Sequence, residues 1–146
     1  MKIYFAGSIA GGRSDQALYV QIVEQLADYG EVLTEHIGNS ELSTYGELGK
    51  GMTDKQIHDR DVDWLLSADA VVAEVTVTSM GVGYELGRVA ERGDVPVLAL
   101  YRPSASGERG KPSSMIVGSR AIQTTDYEDL SEIPAIFNTF FAKFTK

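Results

Sequence analysis

The sequence predicts a single α/β domain built on a five-stranded parallel sheet with helices on both faces. Three observations point there. Ala70, Val71, Val72, Ala73 and Val75 form a nearly unbroken apolar run, as in a strand buried on both sides of a parallel sheet. Short runs of this kind alternate with segments whose apolar residues recur at helical spacing. The length, 146 residues, suits one domain with a real core, taken here as residues 1–146.

The elements follow in order. Lys2 to Ala6 (KIYFA) reads as the first strand. Gly7 to Arg13 (GSIAGGR) is a glycine-rich loop, after which Ser14 and Asp15 are able to cap a helix. Leu18, Ile22, Val23 and Leu26 give that helix an apolar stripe, and Gly30 ends it. Glu31 to Glu35 is the second strand. Strand, glycine loop, helix and strand make a nucleotide-binding half-unit. The loop pattern is G-x-x-x-G-G, which departs from the dinucleotide fingerprint, although Glu35 sits where a ribose-binding acid would be. Its backbone amides and Ser8 can hold a phosphate; a tight turn that needs glycine is an equal reading.

His36 to Thr53 has little periodicity and is long for a loop, which suggests a cover over a site. A helix capped by Thr53 or Asp54 then runs to about Ser67. At about 100° per residue, Ile57, Trp64 and Leu65 face one way and Asp61 falls among them, whereas Asp59 and Asp63 fall opposite. An acid on a buried face needs a partner or has a job, and Asp61 is a candidate acid–base group. His58, at the edge of that face, reads as a structural histidine.

The run from Ala70 ends in a small-residue turn, and a helix begins near Gly81 with Val82, Leu86, Val89 and Ala90 on one side. Strand end, turn and helix start together form an anion site at the carboxyl edge of a sheet. Glu85 lies on the flank of the apolar stripe, one turn in, either as a solvated residue favouring the helix dipole or as a carboxylate looking into a cleft.

Val95 to Tyr101 is the fourth strand and Arg102 to Ser114 a polar loop with Arg109 and Lys111. A short helix over Ser113–Val117 and a fifth strand over Ala121–Thr124 follow. Leu130, Ile133, Ile136, Phe137, Phe140, Phe141 and Phe144 mark a closing helix. Its aromatic load exceeds what one small sheet face needs, which leaves room for a helix-packed dimer. The arrangement expected is flavodoxin-like, in the broad Rossmann-like class.

Composition narrows the function. With no cysteine, disulfides and thiolate chemistry are ruled out, which fits a cytoplasmic location, a nuclear one remaining open. Two histidines argue against a His-based metal site. The net charge of -8 argues against a polymeric nucleic acid as partner. No apolar run is long enough for a bilayer and no signal peptide is expected, so no membrane partner is expected.

Five motifs, GSIAGGR, VLTEH, IHDRDVDWL, ADAVVAEVT and SMGVGYELGR, occur in order and at matching spacing between Tyr4 and about Met115. Together they resemble the 2′-deoxynucleoside 5′-monophosphate N-glycosidases, the Rcl family, within the wider nucleoside 2-deoxyribosyltransferase group. The resemblance implies hydrolysis of the N-glycosidic bond of a deoxynucleotide to free base and 2-deoxyribose 5-phosphate, without metal or cofactor. It implies Glu85 as the nucleophile at C1′, Asp61 as the acid that protonates the leaving base, and Tyr4 as the residue orienting Glu85. Gly7, Ser8, Ile9, Gly11, Ser79 and Gly81 would cradle the 5′-phosphate, with Ser113 reaching it from the other subunit of a homodimer. Glu85 near a helix N-terminus is expected to stay ionised, and Asp61 on an apolar face to hold its proton, as in a retaining glycosidase.

One position departs from the family. Ala10 stands where its members resemble one another in having an arginine; Arg13 lies too far round the loop to replace it fully, so either phosphate affinity is weaker here or Arg109 or Lys111 compensates. Two rival readings remain. A base-exchanging deoxyribosyltransferase tends to have an Asp at the position of Ser79, and a carboxylate there would repel a phosphate. A non-catalytic nucleotide-binding module would not need Asp61 on a buried face.

Overall fold

In a computed structural model, which describes residues 1–8, 15–33, 51–105 and 110–144, the chain forms one five-stranded, all-parallel sheet in the order β2-β1-β3-β4-β5. The strands are β1 Lys2–Ala6, β2 Glu31–Val32, β3 Ala70–Glu74, β4 Val97–Tyr101 and β5 Ile122–Asp126. The helices are α1 Gln16–Leu26, α2 Asp54–Ser67, α3 Met80–Arg92, the single turn α4 Ser114–Val117 and α5 Ile133–Phe141. The flavodoxin-like expectation holds. In this order the crossovers reverse between β1 and β3, and ligands of such sheets bind outside the carboxyl ends there.

β1 shows how the layers form. Its side chains alternate, so Ile3 and Phe5 join one core with α1 and α5, and Tyr4 and Ala6 join the other with α2 and α3. Pairing of Tyr4 with Val71 and of Phe5 with Val72 locks this alternation against β3, whose five residues are all buried. Gly30 is needed for contact, since a Cβ there would lie 2.2 Å from the Met1 carbonyl oxygen. Gly93, at φ 70°, supplies the left-handed residue that ends α3. Thr53 and Gln56 close a capping box on α2.

Several boundaries differ from the sequence reading. β4 begins at Val97, two residues later than Val95, and β5 runs on to Asp126. β2 is described only as Glu31–Val32; Leu33 donates to the Ile3 carbonyl at 2.9 Å, and Glu35 and the proposed cover lie outside the described residues, apart from its last residues. Asp15 precedes α1 but does not cap it, because its carboxylate is drawn into an ion pair with Arg102 at 2.6 Å.

The closing helix is where expectation and structure part most. Ile133, Phe137, Phe140 and Phe141 are buried within the chain's own core, where Tyr29 stacks on Phe141 at 4.5 Å between centroids. Two aromatic residues of α1 and its C-terminal turn, Tyr19 and Tyr29, absorb the apparent surplus. The α5 stripe is therefore not a free dimer face. α5 stops at Phe141, and Phe144, expected in that helix, lies beyond it and is 43% exposed; the most exposed large apolar side chains stand elsewhere, with Met80 93% and Met115 82% exposed at the starts of α3 and α4.

Candidate active site

Three elements converge on one carboxylate. Tyr4, on the second residue of the alternating β1 face, is 1% exposed, and its hydroxyl donates to Glu85 Oε1 at 2.6 Å. Val82, Leu86 and Val89 anchor α3 to the sheet, which turns the half-buried Glu85 toward β1 and α2. Asp61 approaches from α2, close enough for its charge to raise the pKa of both Glu85 and Tyr4. Burial pushes Glu85 up to about 7; the Tyr4 hydrogen bond opposes this and the Asp61 charge adds to it. Tyr4 is itself pushed well above its ordinary value, first by burial and then by Glu85, so it remains a hydrogen-bond donor.

This departs from the expectation that the helix N-terminus keeps Glu85 ionised. The dipole falls off within the first turn, and Glu85 sits beyond it, in a site where desolvation dominates. Asp61, for its part, has a partner as well as a place near Glu85. Arg60 donates to Asp61 Oδ1 from Nε at 3.0 Å and from a terminal nitrogen at 2.7 Å, and its guanidinium lies 4.6 Å from the Trp64 ring centroid. The Asp61 side chain is 20% exposed, between buried Leu65 and exposed Asp59 and Asp63. His58 is exposed and bridges Asp59 and the Tyr84 hydroxyl, both at 3.0 Å.

The serines divide between two places. Ser79 precedes α3 as its N-cap and accepts from the Val82 amide at 3.3 Å. Gly81 is exposed in the first turn, where a Cβ would meet only Ser79 Oγ, at 3.8 Å. Ser113 caps α4. Ser79 and Ser113 line one cleft of about 320 Å³ with Lys111, Val82, Gly83 and Ile116, all within a single protomer. At about 100° per residue Gly83 and Glu85 lie on opposite flanks of α3, so this cleft and the Tyr4–Glu85 pair sit on the two sides of the same helix. Ser8, two residues past the end of β1, is buried. Gly7 is held close to Tyr19, where a Cβ would lie 3.1 Å from the ring and the ring would have to give by a few tenths of an ångström to admit it. Ile9, Ala10, Gly11, Arg13 and Arg109 lie outside the described residues.

Among the described residues no group of three His, Cys, Asp or Glu side chains gathers as it would around a metal ion, and no helix is long and apolar enough to cross a membrane.

Sequence reasoning passed over a second ionisable cluster at the same sheet edge. Glu74, the last residue of β3, is completely buried and its carboxyl is pushed up to about 7, chiefly by burial. The available clue was an acid inside an otherwise apolar strand. The Asp15–Arg102 pair beside it joins residues far apart in the chain and left no local pattern.

The chain matches the family model described as nucleoside 2-deoxyribosyltransferase over residues 3–116. It is 50% identical over 143 residues to a Nematostella vectensis protein that carries the provisional name 2′-deoxynucleoside 5′-phosphate N-hydrolase 1, covering 96% of this chain and 93% of that one. It is 47% identical over 150 residues to the Danio rerio 5-hydroxymethyl-dUMP N-hydrolase, covering 100% and 99% of the two chains. The human 5-hydroxymethyl-dUMP N-hydrolase is 45% identical over 144 residues, 95% of this chain and 78% of that one. With this extent of matching, the chain belongs to the nucleoside 2-deoxyribosyltransferase family.

Proposed function

We propose that the protein hydrolyses the N-glycosidic bond of 2′-deoxynucleoside 5′-monophosphates, releasing the free base and 2-deoxyribose 5-phosphate. The names of its relatives support the reaction class. The observation that carries the mechanism is the buried Tyr4–Glu85 hydrogen bond with Asp61 beside it. Ionised Glu85 attacks C1′ of the deoxyribose, forming a C1′–O bond as the C1′–N bond breaks. The bonding electrons leave with the base, and Asp61 delivers the proton that neutralises it. Water then attacks C1′, giving its proton to Asp61, and Glu85 departs as the carboxylate. A donor such as Tyr4 fixes one Glu85 oxygen and leaves the other for attack. Its position next to the sugar also disfavours a 2′-hydroxyl, so ribonucleotides are expected to be poor substrates.

For the 5′-phosphate, the reading uses Ser8, Ser79, the amides near Gly81, and residues 7, 9 and 11 of the first loop. Ser79 in place of an aspartate favours a phosphorylated substrate over a nucleoside, and so hydrolysis over base exchange. Hydrogen bonds to a dianion contribute roughly 1.5–3 kcal/mol each. Two of them change kcat/KM by about two to four powers of ten, at roughly 1.4 kcal/mol per tenfold. The reading includes a homodimer in which Ser113 completes the partner's site. Its natural contact surface is the exposed pair Met80 and Met115, in place of α5. A cytoplasmic location suits a nucleotide substrate.

The experiment is a panel of deoxynucleoside 5′-monophosphates, 5-hydroxymethyl-dUMP among them, with the matching nucleosides and ribonucleotides. Free base is quantified with and without a second acceptor base. Hydrolysis of the monophosphates at least a hundredfold above the nucleosides supports the reading; base exchange outrunning hydrolysis places the protein with the transferases.

A further inference from the structure

The site formed by Tyr4, Glu85 and Asp61 also contains a cation. Arg60 precedes Asp61 on α2, and 23% of its side chain is exposed. Neighbouring positions on a helix diverge by about 100°, so an arginine here would by default point away from Asp61. Trp64, one turn further on and on the same face, holds it back: the guanidinium carbon lies 4.6 Å from the Trp64 ring centroid. One terminal nitrogen donates to Met52 Sδ at 3.5 Å. Held in this way, Arg60 donates to Asp61 Oδ1 from Nε at 3.0 Å and from the other terminal nitrogen at 2.7 Å. Its charge reaches β1 as well. Burial, Glu85 and Asp61 push the Tyr4 hydroxyl upward, and Arg60 opposes them.

The two bonds are arranged unevenly. Arginine and carboxylate often meet fork to fork, with two parallel bonds that occupy both oxygens. Here both N–H groups converge on Oδ1, and no described residue donates to Oδ2. Stability does not account for this arrangement. Ion pairs on a helix surface contribute little, and ordering an arginine side chain costs conformational entropy. Proton delivery does account for it. A general acid must present one defined oxygen to the atom it protonates, at hydrogen-bond distance. With Oδ1 clamped, the carboxyl group cannot exchange its two oxygens by rotating, and Oδ2 is left to carry the proton.

We propose that Arg60 is a positioning residue for the general acid: it clamps Asp61 Oδ1 so that Oδ2 alone exchanges the proton with the leaving base and then with water. In the first step the Oδ2–H bond breaks as the proton passes to the base, and its electron pair stays on the carboxylate beside the guanidinium. In the second step the proton of the attacking water returns to Oδ2. The proposal rests on the deoxynucleotide reading above and gives Arg60 no contact with the reacting atoms. Trp64 and Met52 serve it by fixing the guanidinium.

The test is a double-mutant cycle of Arg60→Ala and Asp61→Asn, with Arg60→Lys beside it. Each protein is assayed on a deoxynucleoside 5′-monophosphate with a poor leaving base and on one with an activated base. On the poor leaving base, Arg60→Ala should lower kcat by roughly tenfold to a hundredfold, the effect of lost hydrogen bonds to a charged group. On the activated base kcat should stay within about threefold of wild type, because that base departs without the proton. KM should hardly move on either. Arg60→Lys keeps the charge but lacks the fork, and should lose most of the same rate; full activity there overturns the proposal. In the Asp61→Asn background, Arg60→Ala should cost nothing more, since Arg60 acts only through that carboxyl. Losses that multiply in the double variant, equal losses on the two substrates, or an unchanged kcat in Arg60→Ala overturn the proposal. Should Arg60→Ala fail to fold, the same cycle with Arg60→Lys decides. A readout independent of turnover is nitrogen-15 NMR of the Arg60 Nε–H, which should exchange slowly with solvent in wild type and fast in Asp61→Asn; equal exchange in the two overturns the clamp. If wild type releases no base from any nucleotide yet shows this dependence, the hydrolase reading fails and the clamp stands. If wild type hydrolyses the nucleotide and Arg60→Ala matches it, the clamp fails alone.

Discussion

Replacing Glu85 with Gln should stabilise the protein, and only above acidic pH. The folded-state pKa of Glu85 is raised from 4.5 to about 7 by burial, with Asp61 adding to the rise. Below about pH 4.5 the carboxyl is protonated in both folded and unfolded chains, and Glu and Gln are close to equivalent. Between about 4.5 and 7 the unfolded chain releases the proton that the folded chain keeps, so wild type progressively loses stability as pH rises. Above about pH 7 the difference is constant. At roughly 1.4 kcal/mol per tenfold it amounts to about 2–3 kcal/mol, allowing for the partial exposure of the side chain. Gln can still accept from Tyr4. For a chain of this size the change corresponds to roughly 4–12 °C in melting temperature. Urea denaturation of both proteins at pH 5, 6, 7 and 8 reads it directly. A stability difference that does not change with pH, or a Gln variant less stable than wild type at pH 8, would refute the argument that burial controls Glu85.

The remaining predictions concern turnover. Attack requires ionised Glu85, so kcat/KM for the nucleotide should climb as pH is raised through about 7; a profile flat from pH 5 to 8 contradicts this. Tyr4→Phe removes the bond that opposes the rise in Glu85, and the ascending limb should move up by about one to two pH units. Asp61→Asn should slow substrates with poor leaving groups far more than those with activated ones; equal losses mean that Asp61 is structural. Mixing Glu85→Ala and Ser113→Ala subunits should recover activity if Ser113 acts across a dimer, since each hybrid regains one intact site. With subunit exchange demonstrated, no recovery assigns Ser113 to its own protomer, where it shares a cleft with Ser79.

How far the sequence could be read depended on how local the physics was. The apolar run at Ala70 and the stripe Val82, Leu86, Val89 are periodic, so β3 and α3 were legible together with the flank position of Glu85. Asp61 was legible for the same reason, because a helical wheel shows an acid among apolar neighbours. Its pairing with Arg60 was not, since adjacent residues meet only when their side chains fold back. The ionisation of Glu85 was misread because the helix dipole is visible in sequence and the desolvating neighbours, Tyr4 among them, are distant in it. The aromatic surplus of α5 was misread likewise: its partners Tyr19 and Tyr29 come from α1 and the turn after it. Glu74, Asp15 and Arg102 meet only through the sheet topology, and no spacing rule links residues 15, 74 and 102.

The central claim is that Glu85 carries the sugar during turnover. A deoxynucleoside 5′-monophosphate fluorinated on the sugar should slow the second step more than the first and let the ester accumulate. After brief incubation, acid quench and tryptic digestion, the peptide from Asp61 to Arg88 holds Asp61, Glu74 and Glu85 together, so its fragment ions separate the three. The account predicts the added mass of one fluorinated 2-deoxyribose 5-phosphate on Glu85, absent from Glu85→Gln. Mass on Asp61 or Glu74, or steady release of base by the Glu85→Gln protein at near wild-type rate, would contradict it.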